Sequence, residues 1–179
     1  MKKIAPFTLS LTMIILLTAC MSNKDEVNSI TEAETTVQSD IVKDDATVGE
    51  KLLDSFHTEI EADPTISAEK LAEIILSNSI IEFDGAQTHV ENGFLTGFGN
   101  AEITGFKEGV MFSPMISTIP FVGYIFILAD DIDAAEFTQN LKDNADLRWN
   151  ICTEADEMIA DYSDKTVFFL MCPNSFESE

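Results

Sequence analysis

The sequence predicts an α+β domain: an antiparallel sheet of about four to six strands with helices on one face. Three observations predict it. Two stretches after residue 46 repeat apolar residues at helical spacing behind capping residues. From Ile80 the pattern changes to short apolar runs broken by glycine. Phe121–Ala129 is then apolar at nearly every position, which marks a strand buried on both faces at the centre of a sheet.

The elements follow in order. Thr47-x-x-Glu50 has the spacing of a capping box, and Val48, Leu52, Phe56 and Ile60 recur every four residues behind it. Asp63-Pro64 ends that helix, because proline disfavours helical geometry in the residue before it. Ser67 caps a second helix reaching about Asn78, with Leu71, Ile74, Ile75 and Asn78 on one side. Ile80–Phe83 reads as a strand and Asp84-Gly85 as the turn after it. Five of the eight glycines lie between Gly93 and Gly109 among Phe94, Phe98 and Phe106, which suits strands and turns better than helix. Val110–Phe112 is a further strand. Asp133 and Glu136 stand at capping-box spacing and open a helix that turns Ala134, Phe137, Leu141 and Ala145 inward. Met158–Tyr162 and Thr166–Met171, joined at Ser163-Asp164-Lys165, form a closing hairpin; a helix over Glu154–Tyr162 capped by Thr153 is the competing reading.

Val110–Ala129 is twenty residues without a charge, the length of a membrane-spanning helix. Pro114 and Pro120 divide it, and a proline inside a helix costs about 3 kcal/mol. Two buried strands joined by an apolar loop are the better reading.

Charge excludes one large class of partners. The chain has 10 Lys+Arg against 32 Asp+Glu, a net charge of −22, and nucleic-acid binding needs the clustered cations it lacks.

The first twenty residues are an address. Lys2 and Lys3 precede an uncharged, mostly apolar stretch from Ile4 to Ala19, the layout of a secretory signal peptide. The stretch ends in Leu17-Thr18-Ala19-Cys20, and here the sequence resembles bacterial lipoproteins, whose lipobox it matches at all four positions. The resemblance implies a leader over residues 1–19, a diacylglycerol on the Cys20 thiol and anchorage at the extracytoplasmic face of the cell membrane. Two acyl chains suffice for stable anchoring. Residues 20–46 are rich in acids, Ser and Thr and have no aromatic residue, so they read as a flexible acidic tether before a single domain over 47–179. That domain loosely resembles the uncharacterised lipoprotein domains of Gram-positive bacteria in its Phe121–Ala129 strand, Asp133 helix, Trp149 segment and terminal strand. The resemblance implies location and architecture but no reaction.

Motifs for catalysis and metals are missing from the sequence. Gly97-Phe98-Gly99 lacks the third glycine and the helix of a dinucleotide fingerprint, and there is neither a P-loop nor a GxSxG elbow. Asp130, Asp131, Asp133 and Glu136 lack the EF-hand order and read as helix capping. His57, His89, Cys152 and Cys172 lack zinc-ligand spacing, and both histidines read as solvent-exposed. No catalytic residue, metal or dissociable cofactor is expected.

Three features are candidate sites. Cys152 and Cys172 are the thiols left after lipidation: they form either a disulfide, allowed by an oxidising exterior, or two reduced core cysteines. Arg148-Trp149 is either an internal ion pair beside a core aromatic or an anchor for an anionic ligand. The loop Ser113–Pro120, with Met115, Ile116 and Ile119, either folds back as core or offers a contact surface to a hydrophobic ligand or partner. The function expected from all this is a non-enzymatic binding or accessory module of the cell envelope, its partner a protein or small molecule. The alternatives are a structural subunit of a membrane complex and an envelope enzyme with a scattered acid/base site.

Overall fold

The computed structural model describes residues 46–116 and 118–176, and these belong to one compact unit, Lys43–Glu179. The expected leader, Cys20 and nearly all of the tether lie outside the described residues.

Helix α1, Val48–Ala62, begins with the expected box: the Thr47 hydroxyl accepts from the Glu50 N–H while the Glu50 carboxylate accepts from the Thr47 N–H. It stops at Asp63, whose backbone is extended before Pro64. The Asp63 carboxylate then accepts from both the N–H and the hydroxyl of Thr65, which shapes the link to the next helix and holds its carboxyl below the usual range. Ser67 caps α2, Ala68–Leu76. The two helices bury Leu52, Phe56, Leu71, Ala72 and Ile75 completely; Ile74, expected inward, is only half-buried.

Ile80–Phe83 is not a strand. Ile80, Ile81 and Phe83 pack half-buried against the core under α1 and α2, so this apolar run covers that core instead of pairing. Strand β1 is Gly85–His89 and starts where a turn was expected. Its polar sequence has no apolar alternation because it is an edge strand with little to bury.

The rest of the sheet follows. β2, Gly93–Phe94, and β3, Glu102–Ile103, pair as a short ribbon. β4, Phe106–Pro114, and β5, Val122–Leu128, form an antiparallel hairpin. Val110–Ala129 is thus the two-strand arrangement, and no helix among the described residues is long and apolar enough to cross a membrane. After α3, Ala134–Asn144, come β6, Glu157–Ser163, and β7, Thr166–Cys172, joined by a two-residue turn in which Asp164 has φ +50°. The closing hairpin is present and the competing helix is not. The strand order is β1-β4-β5-β7-β6, antiparallel throughout, with β5 at the centre as its sequence demands.

The helices do not share one face. Along β7, Phe168, Leu170 and Cys172 join the core under α1 and α2, while Val167, Phe169 and Met171 join a second core under α3 and the β2–β3 segment. A central strand that is apolar on both sides needs a cover on both sides. At about 25 cal/mol per Å² of buried apolar area, one uncovered face of β5 and β7 would cost several kcal/mol, so α3 takes the second face.

Candidate binding site

The β4–β5 hairpin ends at the sheet edge where β1 begins. Pro114 lies opposite Gly85 at a position that needs no N–H from it, and the Met115 N–H donates to Asp84 O at 2.8 Å. That bond fixes the root of the loop. Met115 and Ile116 then stand out into solvent, 68% and 90% exposed, whereas Ile119 turns back and packs on the first core. The loop is therefore divided: Ile119 folds back as core, and Met115 and Ile116 are left exposed.

Beside the tip are two shallow recesses. Phe83, Asp84, Met115 and Ile116 line one of about 270 Å³. Glu73, Leu76, Ser77, Phe83, Asp84, Gly85 and Gln87 line another of about 360 Å³. They share Phe83 and Asp84, so they follow one another along the start of β1. Phe83 is a stiff wall, held edge-on to Phe121 and Phe176 at 4.9 and 5.5 Å. Gln87 buries its Oε1 with no hydrogen-bond partner among the described residues. An unsatisfied buried acceptor costs about 1–3 kcal/mol.

A larger cleft of about 460 Å³ lies at the other end of β4 and β5, between Pro64–Ser67, Ile127 and the β6–β7 turn. Its cations are already engaged. Lys107 Nζ is 3.1 Å from Asp130 Oδ1, and Lys165 Nζ donates to the carbonyls of Asp130 and Ile132 at 3.1 and 2.6 Å. Lys165 ties the hairpin turn to the residues leading into α3.

Arg148 and Trp149 do not join the recesses. The Arg148 guanidinium pairs with Glu154 at 3.2 Å, and Trp149 is half-buried against the second core. Arg148 is thus ion-paired within the chain and Trp149 packs as a core aromatic.

The two thiols are apart, and the disulfide is absent. Cys172 ends β7 and points into the core under α1, whereas Cys152 is exposed in the connection after α3. The Cys172 thiol donates to Glu157 Oε1 at 3.4 Å; burial first, then the nearby Glu157 and Asp156 charges, push its pKa well above the usual thiol range.

His89 is exposed, 3.6 Å from Glu69. His57, expected in solvent, is half-buried and its Nε2 meets Asp161 Oδ2 at 3.0 Å. Asp133 caps α3 by accepting from the Glu136 N–H, and Asp130 pairs with Lys107, as acids around a helix start do. Among the described residues no group of three His, Cys, Asp or Glu is arranged to hold a metal ion.

Sequence reasoning found Met115 and Ile116 but missed Phe83, Asp84 and Gln87. A proline at each end of the loop signalled the first pair. The others become neighbours only when the Ile80–Phe83 segment docks on the core. Comparison with protein-family models, with curated proteins and with solved structures returns no match.

Proposed function

We propose that this chain is a lipid-anchored extracytoplasmic protein that works as a non-enzymatic binding or accessory module. The lipobox at Leu17–Cys20 supports the anchor and the acidic tether supports a spacer that holds the domain off an anionic bilayer. The observation that carries the binding role is the pair Met115 and Ile116, held in solvent on a braced hairpin tip beside a recess walled by Phe83. Folding gains little from large apolar side chains left in water, whereas apolar side chains beside a recess are the usual make-up of a contact surface.

The test is a mild-detergent pull-down of the lipidated protein from its native membrane, with a Cys20→Ala control, read by mass spectrometry. A partner lost when Met115 and Ile116 are changed to Ser supports the module. A stoichiometric membrane partner indifferent to those changes would replace it with the structural-subunit reading. Recovery of unlipidated protein beginning elsewhere than Cys20 would remove the anchor.

A further inference from the structure

The sheet has two edges, and they are treated differently. On β6 the two-residue turn makes Ser163–Thr166 a hydrogen-bonded pair, so the ladder's alternation points the Tyr162 N–H outward. Asp161 Oδ1 accepts that N–H at 2.9 Å, and His57 holds the other carboxylate oxygen. A charged side chain folded over the strand stops a further strand from pairing there.

On β1 no described residue covers the outward groups in this way. The Met115 N–H donates to Asp84 O and the Val90 N–H to Gly109 O, so the hydrogen-bonded pairs fall at 84, 86, 88 and 90. Gly85, Gln87 and His89 therefore turn their backbone N–H and C=O groups away from β4, and the unsatisfied Gln87 Oε1 lies on the same strand. The flank of α2 beside this edge is acidic: Glu69 is next to His89, and Glu73 and Asp84 line the recess with Gln87. Lys70 at 2.8 Å offsets part of Glu73, but the chain as a whole stands at −22.

We propose that β1 receives an extended basic segment of a partner protein as a further strand of the sheet. Its backbone bonds to Gly85, Gln87 and His89, and every second side chain, Lys or Arg, faces Glu69, Glu73 and Asp84. A second copy of this chain fits worse, since it brings its own negative charge to the edge. The proposal rests on the binding-module reading, and the two fail separately: strand addition is read on purified protein, the partner in native membrane.

The experiment uses the full-length protein in an uncharged detergent and a capped peptide of about eight residues alternating Lys and Val, the usual length of a strand. The same peptide with Glu for Lys is the control. The Lys peptide is expected to bind, to lose affinity with added salt and to slow amide exchange across residues 85–89. Gln87→Pro removes an outward N–H and no bond to β4, and should weaken binding about tenfold or more. Should that variant unfold, Glu69→Gln with Glu73→Gln leaves the edge intact and should weaken binding about three- to tenfold. Equal binding of both peptides, or binding without slowed exchange at 85–89, overturns the proposal. So does slow exchange there in the unliganded protein, which means that the edge is already filled; its loss on dilution identifies a second copy.

Discussion

The Gly49 N–H, in the first turn of α1, donates to Glu157 Oε1 of β6 at 2.9 Å, across a separation of 108 residues. The other carboxylate oxygen accepts from the Thr47 hydroxyl, so one acid satisfies the start of the helix that covers the first core. A Cβ at position 49 would come within 2.6 Å of Ile159 and 2.8 Å of that carboxylate. Alanine is the better helix former by about 1 kcal/mol, but its Cβ would push the Glu157 carboxylate off the two bonds it accepts from the helix start, and that loss decides the sign. Gly49→Ala should destabilise the domain, and Glu157→Ala should cost about 2–3 kcal/mol by leaving the Gly49 N–H, the Thr47 hydroxyl and the Cys172 thiol without their acceptor. Urea denaturation checks both; a stabilised Gly49→Ala would show that α1 can lift away from β6 at no cost.

Stability should fall in alkali for a stated reason. Burial raises the Tyr124 phenol far above its ordinary value of 10.0 and raises the Cys172 thiol far above 9.0. The unfolded chain therefore releases these protons first. Their contribution is complete below about pH 9 and declines as pH rises, by about 1.4 kcal/mol per unit for each group once its unfolded form is ionised. Tyr124→Phe should flatten the decline above pH 10 in melting experiments while lowering stability at neutral pH by about 1–2 kcal/mol, the phenol's hydrogen bond to Thr96 O being lost.

The two domain thiols should react at very different rates. Cys152 is exposed, and Cys172 is buried with its proton held. With Cys20 changed to Ala, a thiol reagent at pH 8 should modify one cysteine quickly and the second only on unfolding. Mass mapping should place the first label on Cys152. Fast labelling of both would mean that the α1 side of the sheet opens readily.

Met115→Ser with Ile116→Ser should leave the melting temperature nearly unchanged, since exposed substitutions usually stay within about 0.5 kcal/mol. Ile119→Ser, three positions on, should destabilise by about 1–3 kcal/mol because that side chain packs on the core. Thermal melts of the two variants separate surface from core within one loop. Equal losses would show that the tip folds back in solution.

Local chemistry made most of the elements legible. Thr47, Ser67 and Asp133 announce three helix starts through side chains that reach only three residues along the chain. Pro64 and the Pro114/Pro120 pair announce stops for equally local reasons. Ile80–Phe83 misled because an apolar run looks the same whether it pairs in a sheet or covers a core. β1 was hidden because an edge strand needs no apolar stripe.

What the sequence by itself determined is therefore the list of helices, the central position of β5 and a net charge of −22. Capping, proline geometry and apolar continuity act over a few residues and can be read in order. Only the tertiary structure decided that α3 crosses to the second face, that Cys152 and Cys172 part, and that Arg148 meets Glu154. It also decided that Asp161 takes the outward Tyr162 N–H of one edge strand while the other edge strand carries Gln87, whose Oε1 has no partner among the described residues. Those outcomes depend on which surfaces remain uncovered once the strands have paired, a property of the assembled sheet and of no segment in it.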